Sequence, residues 1–325
     1  MTPSAKRVTS SDVARAAGVS RTTVSFVLNN RAEQSIPEAT RLRVLEAARR
    51  LDYRPHASAR ALAAGRSDIV LLSIPDLPIG TNISRFVEEL ASALAEHGLT
   101  LVTHLAGANG RSVADVCATV GASAVVGFDP FDEETAEDLR RAGAAVVLPS
   151  AVEESPAARP IGLMQARYLI GKGHRNLGVA LPGPSGLEPM AQERLRGVAD
   201  ACAEAGIDPP LALDAPLDTE QAALAVDMWI GRSVTAICAF NDDVAIAVLA
   251  GARARGLTVP DDLAVIGVDD IPTAGLIHPP LTTIRFGLHE VARRRATAVI
   301  NGLSGQESGL VAESAATEIV ERSSA

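Results

Sequence analysis

The residues best suited to chemistry in this sequence lie near its N-terminus. Arg21, Thr22, Ser25, Phe26 and Asn29 recur at the spacing of one helical face. An exposed helix of this kind fits the major groove of duplex DNA, where its first residues meet base edges. Arg21 can donate to guanine or to a phosphate, Thr22 can hydrogen-bond or touch a thymine methyl, and Phe26 can make only apolar contact. Thr9, Ser20 and Thr23 add hydroxyls around that face and Arg31 adds a charge beyond it. The candidate DNA contacts are therefore Thr9, Ser20, Arg21, Thr22, Thr23, Ser25, Phe26, Asn29 and Arg31. A solvent-facing helical hairpin would carry the same pattern, and charge separates the two readings. Residues 1–66 hold 12 Lys+Arg against 5 Asp+Glu, whereas the other 259 residues hold 18 against 34. A basic head on an acidic body is an electrostatic footprint for a polyanion, with the body repelling it.

Other chemistries find no support. There is no G-x-S-x-G elbow, no Walker loop and no dinucleotide fingerprint, so neither an enzyme nor a cofactor is expected. The six histidines and the cysteines Cys117, Cys202 and Cys238 are scattered, without zinc spacing or a disulfide framework. Apolar runs such as Ile69–Ile74 are too short to span a bilayer, and no signal-peptide pattern opens the chain. The expectation is a cytoplasmic, nucleoid-associated protein with no membrane contact.

The elements that must position the N-terminal face form a helix-turn-helix. Thr9-x-x-Asp12 reads as a capping box that starts a helix near Ser10, running through Val13, Ala14 and Ala17 to Gly18. Ala14 is small enough for two steeply crossing helices to touch, and Gly18 supplies the positive φ of the turn. Ser20 caps a second helix, Arg21 to about Leu28, and Val24 packs it onto the first. A third helix, Pro37 to Leu51, closes a core with Val44, Leu45, Ala48 and Leu51. Residues 56–64 are short, Ala-rich and flanked by Pro55 and Gly65. An isolated helix of that length is marginal in water, so it needs DNA and a partner chain to form. The alternative is an unstructured linker with Leu62 packed on the body.

From Asp68 onward, apolar strands alternate with amphipathic helices. The strands are Ile69–Ile74, Leu99–His104, Ala124–Gly127 and Ala145–Leu148, then Leu177–Leu181, Leu211–Asp214, Ala236–Phe240 and Leu263–Val268. The helices between them are Asn82–His97, Ser112–Thr119, Glu133–Ala142, Met164–Lys172, Met190–Ala205, Thr219–Ile230 and Asp243–Arg255. The pattern predicts α/β architecture: two similar lobes, each a doubly wound parallel sheet, with a ligand cleft beyond the strand C-termini.

Three segments carry a resemblance to the lactose/galactose-repressor (LacI/GalR) family of bacterial transcription regulators. They are Asp12-Val-Ala-Arg-Ala-Ala-Gly-Val-Ser20, Thr23-Val-Ser-Phe-Val-Leu-Asn29 and Leu51-Asp-Tyr-Arg-Pro55. They are followed by His56-Ala-Ser-Ala-Arg-Ala-Leu62, which is similar to the family's hinge helix, and the likeness runs on to Glu318-Ile-Val-Glu-Arg-Ser323. The resemblance implies a headpiece over 1–55, a hinge over 56–66 and a periplasmic-binding-protein-like core over 67–325. The first lobe then spans about 67–157 and 287–316, and the second about 158–286 and 317–325. It implies hinge contacts to the minor groove from Tyr53, Arg54, His56, Ala57, Arg60 and Leu62, with Leu62 as a wedge at the central base step. For the cleft it implies effector contacts from Arg194, Asn241, Asp242 and Asp269. Each has a plainer reading. Asn241 or Asp242 could cap the helix that follows, Asp269 could hold a turn, and Arg194 could pair with Glu193 or Glu188.

The sequence departs from the family pattern in several places. Gly80-Thr-Asn-Ile83 stands where an Asn-Pro-Phe-Phe stretch is usual, Leu217 where some members have a cleft aromatic, and Phe26 where many have Arg. Ala157-Ala158-Arg159-Pro160 lacks the usual early acid of the second lobe. A sugar effector is therefore less expected than the family would suggest, and Asp76, Asn82 or Asp129 becomes the candidate first-lobe wall. The expected protein is a homodimeric repressor on a pseudo-palindromic duplex operator, modulated by a small molecule. A co-repressor, a cleft that has lost its effector, and a binding protein without regulated DNA release remain alternatives.

Overall fold

The computed structural model describes residues 8–28, 36–53, 66–74, 80–105, 110–128, 130–149, 158–183, 187–306 and 317–325. The chain divides into two compact units, Met1–Asp68 and Ile69–Ala325.

In the first unit, α1 (Ser10–Ala17), α2 (Arg21–Leu28) and α3 (Glu38–Arg50) enclose a small core. The Asp12 carboxylate accepts from the Thr9 amide at 3.0 Å and from its hydroxyl at 2.7 Å, which fixes the start of α1. Gly18 takes φ 66° and ends the helix. The Ser20 hydroxyl accepts from the Thr23 amide at 3.0 Å and opens α2. Val13, Ala14, Ala17, Val24, Val27, Val44, Ala47 and Ala48 form the core, with Leu51 and Tyr53 packed against it. Leu45 departs from expectation: it faces outward, and Ala47 takes the inner place. Positions 44, 47, 48 and 51 lie on one 3.6-residue face, and 45 is turned about 100° from it.

The second unit contains two four-stranded parallel sheets of identical order. The first comprises β1 (Ile69–Ile74), β2 (Thr100–Leu105), β3 (Ala124–Gly127) and β4 (Val146–Leu148), arranged β2-β1-β3-β4. Helices α4 (Thr81–Ala95), α5 (Val113–Val120) and α6 (Glu133–Arg141) connect them. The second comprises β5 (Leu177–Leu181), β6 (Leu211–Asp214), β7 (Ala236–Ala239) and β8 (Ala264–Ile266), arranged β6-β5-β7-β8. Around it lie α7 (Ala158–Gly171), α8 (Glu188–Glu204), α9 (Thr219–Gly231) and α10 (Asp242–Ala254). Strand β9 (Thr283–Phe286) leads to α11 (Leu288–Leu303), whose Ala292, Ala296 and Val299 are buried in the first lobe's core. Strand β10 (Thr317–Val320) then returns antiparallel to β9.

One helix begins two turns earlier than its pattern suggests. Helix α7 starts at Ala158 rather than Met164, with Pro160 inside its first turn. The first amides of a helix have no intrahelical acceptor, so proline is tolerated there instead of acting as a break. Helix α8 likewise carries Pro189 in its first turn. These two helices cross closely through glycines. A Cβ on Gly162 would collide with the Arg194 carbonyl, and one on Gly197 with the Arg159 carbonyl. The contact fixes the axial position of α8 and thereby of Arg194.

Candidate functional site

On the head, the second helix turns Val24 and Val27 inward. This leaves Arg21, Thr22 and Ser25 exposed and Phe26 half-buried on the outer side, with exposed Thr9 and Ser20 at the helix starts. Thr23 is half-buried because it serves the cap, its hydroxyl lying 2.9 Å from that of Ser20. Tyr53 is tied back into the head, its amide donating to the Ala48 carbonyl at 2.9 Å. Asn29, Arg31, Arg54, His56, Ala57, Arg60 and Leu62 lie outside the described residues.

In the second unit, the two lobes meet around Arg194. This residue projects from the second turn of α8, and only 6% of it is exposed. Its guanidinium lies 4.4 Å from the centre of the Phe240 ring, and one terminal nitrogen donates to the Phe240 carbonyl. That stacking offsets part of the cost of burying the cation. The side-chain Nε is buried and finds no hydrogen-bond partner among the described residues. Burial lowers the guanidinium pKa to about 10, and the opposing charge of Asp269 limits the fall.

Asp269 follows β8 with φ 115°, held by its amide donating to the Ile284 carbonyl at 2.8 Å. Burial raises its carboxyl to about 7, with Arg194 opposing and the like charges of Asp242 and Asp243 adding to the rise. The Asn82 side chain, at the second position of α4 in the first lobe, reaches toward this carboxylate and favours its charged form, slightly opposing the rise. The Asn82 Oδ1 is itself buried and unpartnered among the described residues. The lobes also come close beside it: a Cβ added at Gly80 would lie 3.9 Å from the Asp243 carboxylate.

Asp242 and Asn241 serve the frame of the cleft. The fully buried Asp242 accepts from the Thr283 hydroxyl at 2.5 Å and from the Ile271 amide at 2.9 Å. Burial raises it to about 6, with those two hydrogen bonds opposing. A Cβ at Gly267 would collide with this carboxylate, so the glycine is required for it to seat. Asn241 caps α10, its Oδ1 accepting from the Val244 amide at 2.9 Å. Leu217 stands 70% exposed in the turn before α9. Asp76 and Asp129 lie outside the described residues. Arg159, in the segment lacking the early acid, pairs with Asp200 at 2.7 Å on the surface.

The structure thus brings Arg194, Asp269 and Asn82 together with Asp242 close behind. It adds Phe240 and Asp243, which the sequence pattern does not single out. Asp243 had a signal, being the third polar residue in Asn241-Asp242-Asp243; Phe240 had none, because its ring works through Arg194. A small molecule entering here meets a guanidinium N–H, a carbonyl oxygen and a carboxylate that changes charge near neutrality. Such a set suits a compact polar ligand with both donors and acceptors. The buried thiols Cys117, Cys202 and Cys238 all have raised pKa values because burial disfavours the thiolate. Among the described residues no helix is long and apolar enough to cross a membrane.

Comparison with known proteins agrees with this division of labour. Residues 9–56 match the family described as bacterial regulatory proteins, lacI family, and residues 166–325 match a periplasmic binding protein-like domain. The chain is 32% identical over 307 residues to the HTH-type transcriptional repressor PurR of Photobacterium profundum, covering 89% of each chain. It is 30% identical over 305 residues to the HTH-type transcriptional regulator DegA of Bacillus subtilis, covering 88% of this chain and 89% of that one. Among solved structures, the lac repressor dimer bound to operator and the anti-inducer ONPF superposes with a TM-score of 0.78. That match is at 23% identity and covers 98% of this chain and 99% of the other. At that identity the superposition speaks to the fold.

Proposed function

This chain belongs to the LacI family of bacterial regulatory proteins, and on that premise we propose that it is a cytoplasmic, homodimeric repressor whose hold on DNA is set by a ligand in the cleft around Arg194. As a member of that family it is a DNA-binding transcriptional regulator and not an enzyme. Two heads read the half-sites of a pseudo-palindromic operator about one helical turn apart, through Arg21, Thr22, Ser25 and Phe26. Two hinge segments occupy the minor groove between them, with Leu62 wedging the central step. Ligand binding changes the relation of the two lobes and shifts the dimer between DNA-binding and released populations.

The observation that carries the reading is the Asn82–Asp269–Arg194 group. It joins one lobe to the other and leaves a buried donor and a buried acceptor unsatisfied among the described residues. Buried polar atoms are nearly always paired, so the two open positions support a ligand that completes them. Asn82 also favours a second reading. It already engages Asp269 across the cleft, which supports a protein that closes without any small molecule.

Selection of bound duplexes from a random pool, repeated with a metabolite mixture, tests both readings. The proposal expects a palindromic consensus and a mixture that changes the enrichment. A consensus indifferent to every metabolite supports the second reading, and the absence of a consensus removes the operator from the account.

A further inference from the structure

We propose that Asp270, gripped between Arg285 and Arg322, is a positioning residue: it fixes the turn that carries Asp269 in the cleft and ties that carboxylate to the strands by which the chain passes between the lobes. The inference rests on the reading of the cleft as a ligand site.

Asp269 and Asp270 are consecutive residues with φ of 115° and 48°. Such conformations are unfavourable for residues with a side chain, and a pair of them persists only where the surroundings over-determine it. Here they do. One Asp270 oxygen accepts from Arg322 at 2.6 Å. The other accepts from the Arg285 Nε at 2.8 Å and from a terminal nitrogen of Arg285 at 2.7 Å. The Asp270 side chain is only 11% exposed and that of Arg322 22%, so solvent screens this ion pair less than an ordinary surface one. Both oxygens are taken by guanidinium groups, so Asp270 positions its neighbour instead of contacting a ligand. Opposing charge and hydrogen bonds from the two arginines hold its carboxyl below the usual range against the effect of burial.

The clamp is anchored in turn. The Arg322 amide donates to the Thr282 hydroxyl at 3.0 Å, and its guanidinium to the Leu281 carbonyl at 2.7 Å. Two residues on, the buried Ser324 hydroxyl accepts from the Thr282 amide at 2.9 Å and donates to the Val265 carbonyl at 2.6 Å. Arg285 continues to Glu318, its register partner on β10, at 2.5 Å. Strand β9 leads out to α11 in the first lobe and β10 leads back. One ion cluster therefore joins the strained turn bearing Asp269 to both of those connections. A change in the position of Asp269 is passed to the strands on which the lobes pivot.

The test is the titration of Asp269, followed by carboxyl carbon NMR in the full-length protein and assigned with Asp269→Asn. Wild type is expected to titrate near pH 7. In Arg322→Ala, loss of a positive charge alone would raise that midpoint, whereas release of Asp269 into water lowers it. The expected result is a fall of about one pH unit or more, partly restored in Arg322→Lys. Arg285, whose side chain is 48% exposed, provides a milder variant should Arg322→Ala fail to fold; Arg285→Ala is expected to give a smaller fall. A midpoint unchanged or raised in the folded variants overturns the proposal, as does a wild-type midpoint near the ordinary carboxylate value of about 4. None of these outcomes requires an effector. A clamp that behaves as expected in a protein whose DNA binding answers to no metabolite would sink the ligand reading and leave the clamp standing.

Discussion

The head and the cleft place their polar groups in opposite ways. The head exposes Arg21, Thr22 and Ser25 on one short helix and buries only apolar side chains beneath them. The cleft buries its charges: Arg194 and Asp242 are more than nine-tenths enclosed, and the contact between Asn82 and Asp269 spans 187 positions of sequence. A surface reader meets its partner's charge in water and needs only a rigid scaffold. A cleft must hold charges that are costly to bury, so the polar atoms around them are mostly committed to partners, and Arg194 Nε and Asn82 Oδ1 stand out as open among the described residues. The two regions should therefore fail differently when altered.

The largest effect is expected in the head. Val24 is fully buried at the helix crossing, and Val24→Asp places an unpaired charge there at a cost of more than about 3 kcal/mol. So small a unit cannot absorb that. Operator binding should be lost while the unfolding transition of residues 69–325 stays in place. A simultaneous loss of both transitions, seen by calorimetry, would erase the contrast between the regions.

An intermediate effect belongs to the cleft and depends on pH. Asp269 has a folded pKa of about 7 and Asp242 one of about 6, both above their unfolded values. Such groups take up protons on folding, so their contribution to stability is greatest near pH 4 and falls as pH rises through 6 and 7. Asp269→Asn removes the larger share of that fall. At pH 8 the variant should be more stable than wild type by about 1–3 kcal/mol, with near-equality at pH 4. Denaturant titrations at the two pH values measure this directly, and a variant less stable at pH 8 would show that the ionised carboxylate is well accommodated.

The smallest effect returns to the head. Ser20→Ala removes the cap of α2 and should cost about 1 kcal/mol, read as a lower melting temperature of the head alone. A cost below a few tenths would mean that water satisfies the Thr23 amide equally well.

The same contrast explains what can be read from the sequence. The outward face of α2 and the Thr9–Asp12 capping box are local, and residue spacing alone places them. The alternation of strands and helices yields two parallel-sheet lobes for the same reason. Leu45 reads to the wrong side because an apolar residue beside a helical stripe looks like part of it. The start of α7 escapes the pattern because Pro160 reads as a break unless it is known to lie in a first turn. In the cleft, Arg194, Asp269 and Asn82 can be named one by one, but their meeting cannot. It depends on the Gly162–Gly197 crossing, on the positive φ at Asp269 and on a contact between the lobes, and none of these leaves a periodic trace. Asn241 reads as a contact or as a cap, and its Oδ1 accepts from the Val244 amide at the start of α10.

One measurement bears most directly on the claim that the cleft governs the head. Operator affinity is measured for wild type and Arg194→Ala, each with and without the metabolite mixture that alters selection. Wild type is expected to respond about tenfold or more, which corresponds to about 1.4 kcal/mol of coupling. Arg194→Ala is expected to bind operator within about threefold of wild type but no longer to respond. A variant that still responds in full would contradict the account and move the ligand site away from Arg194.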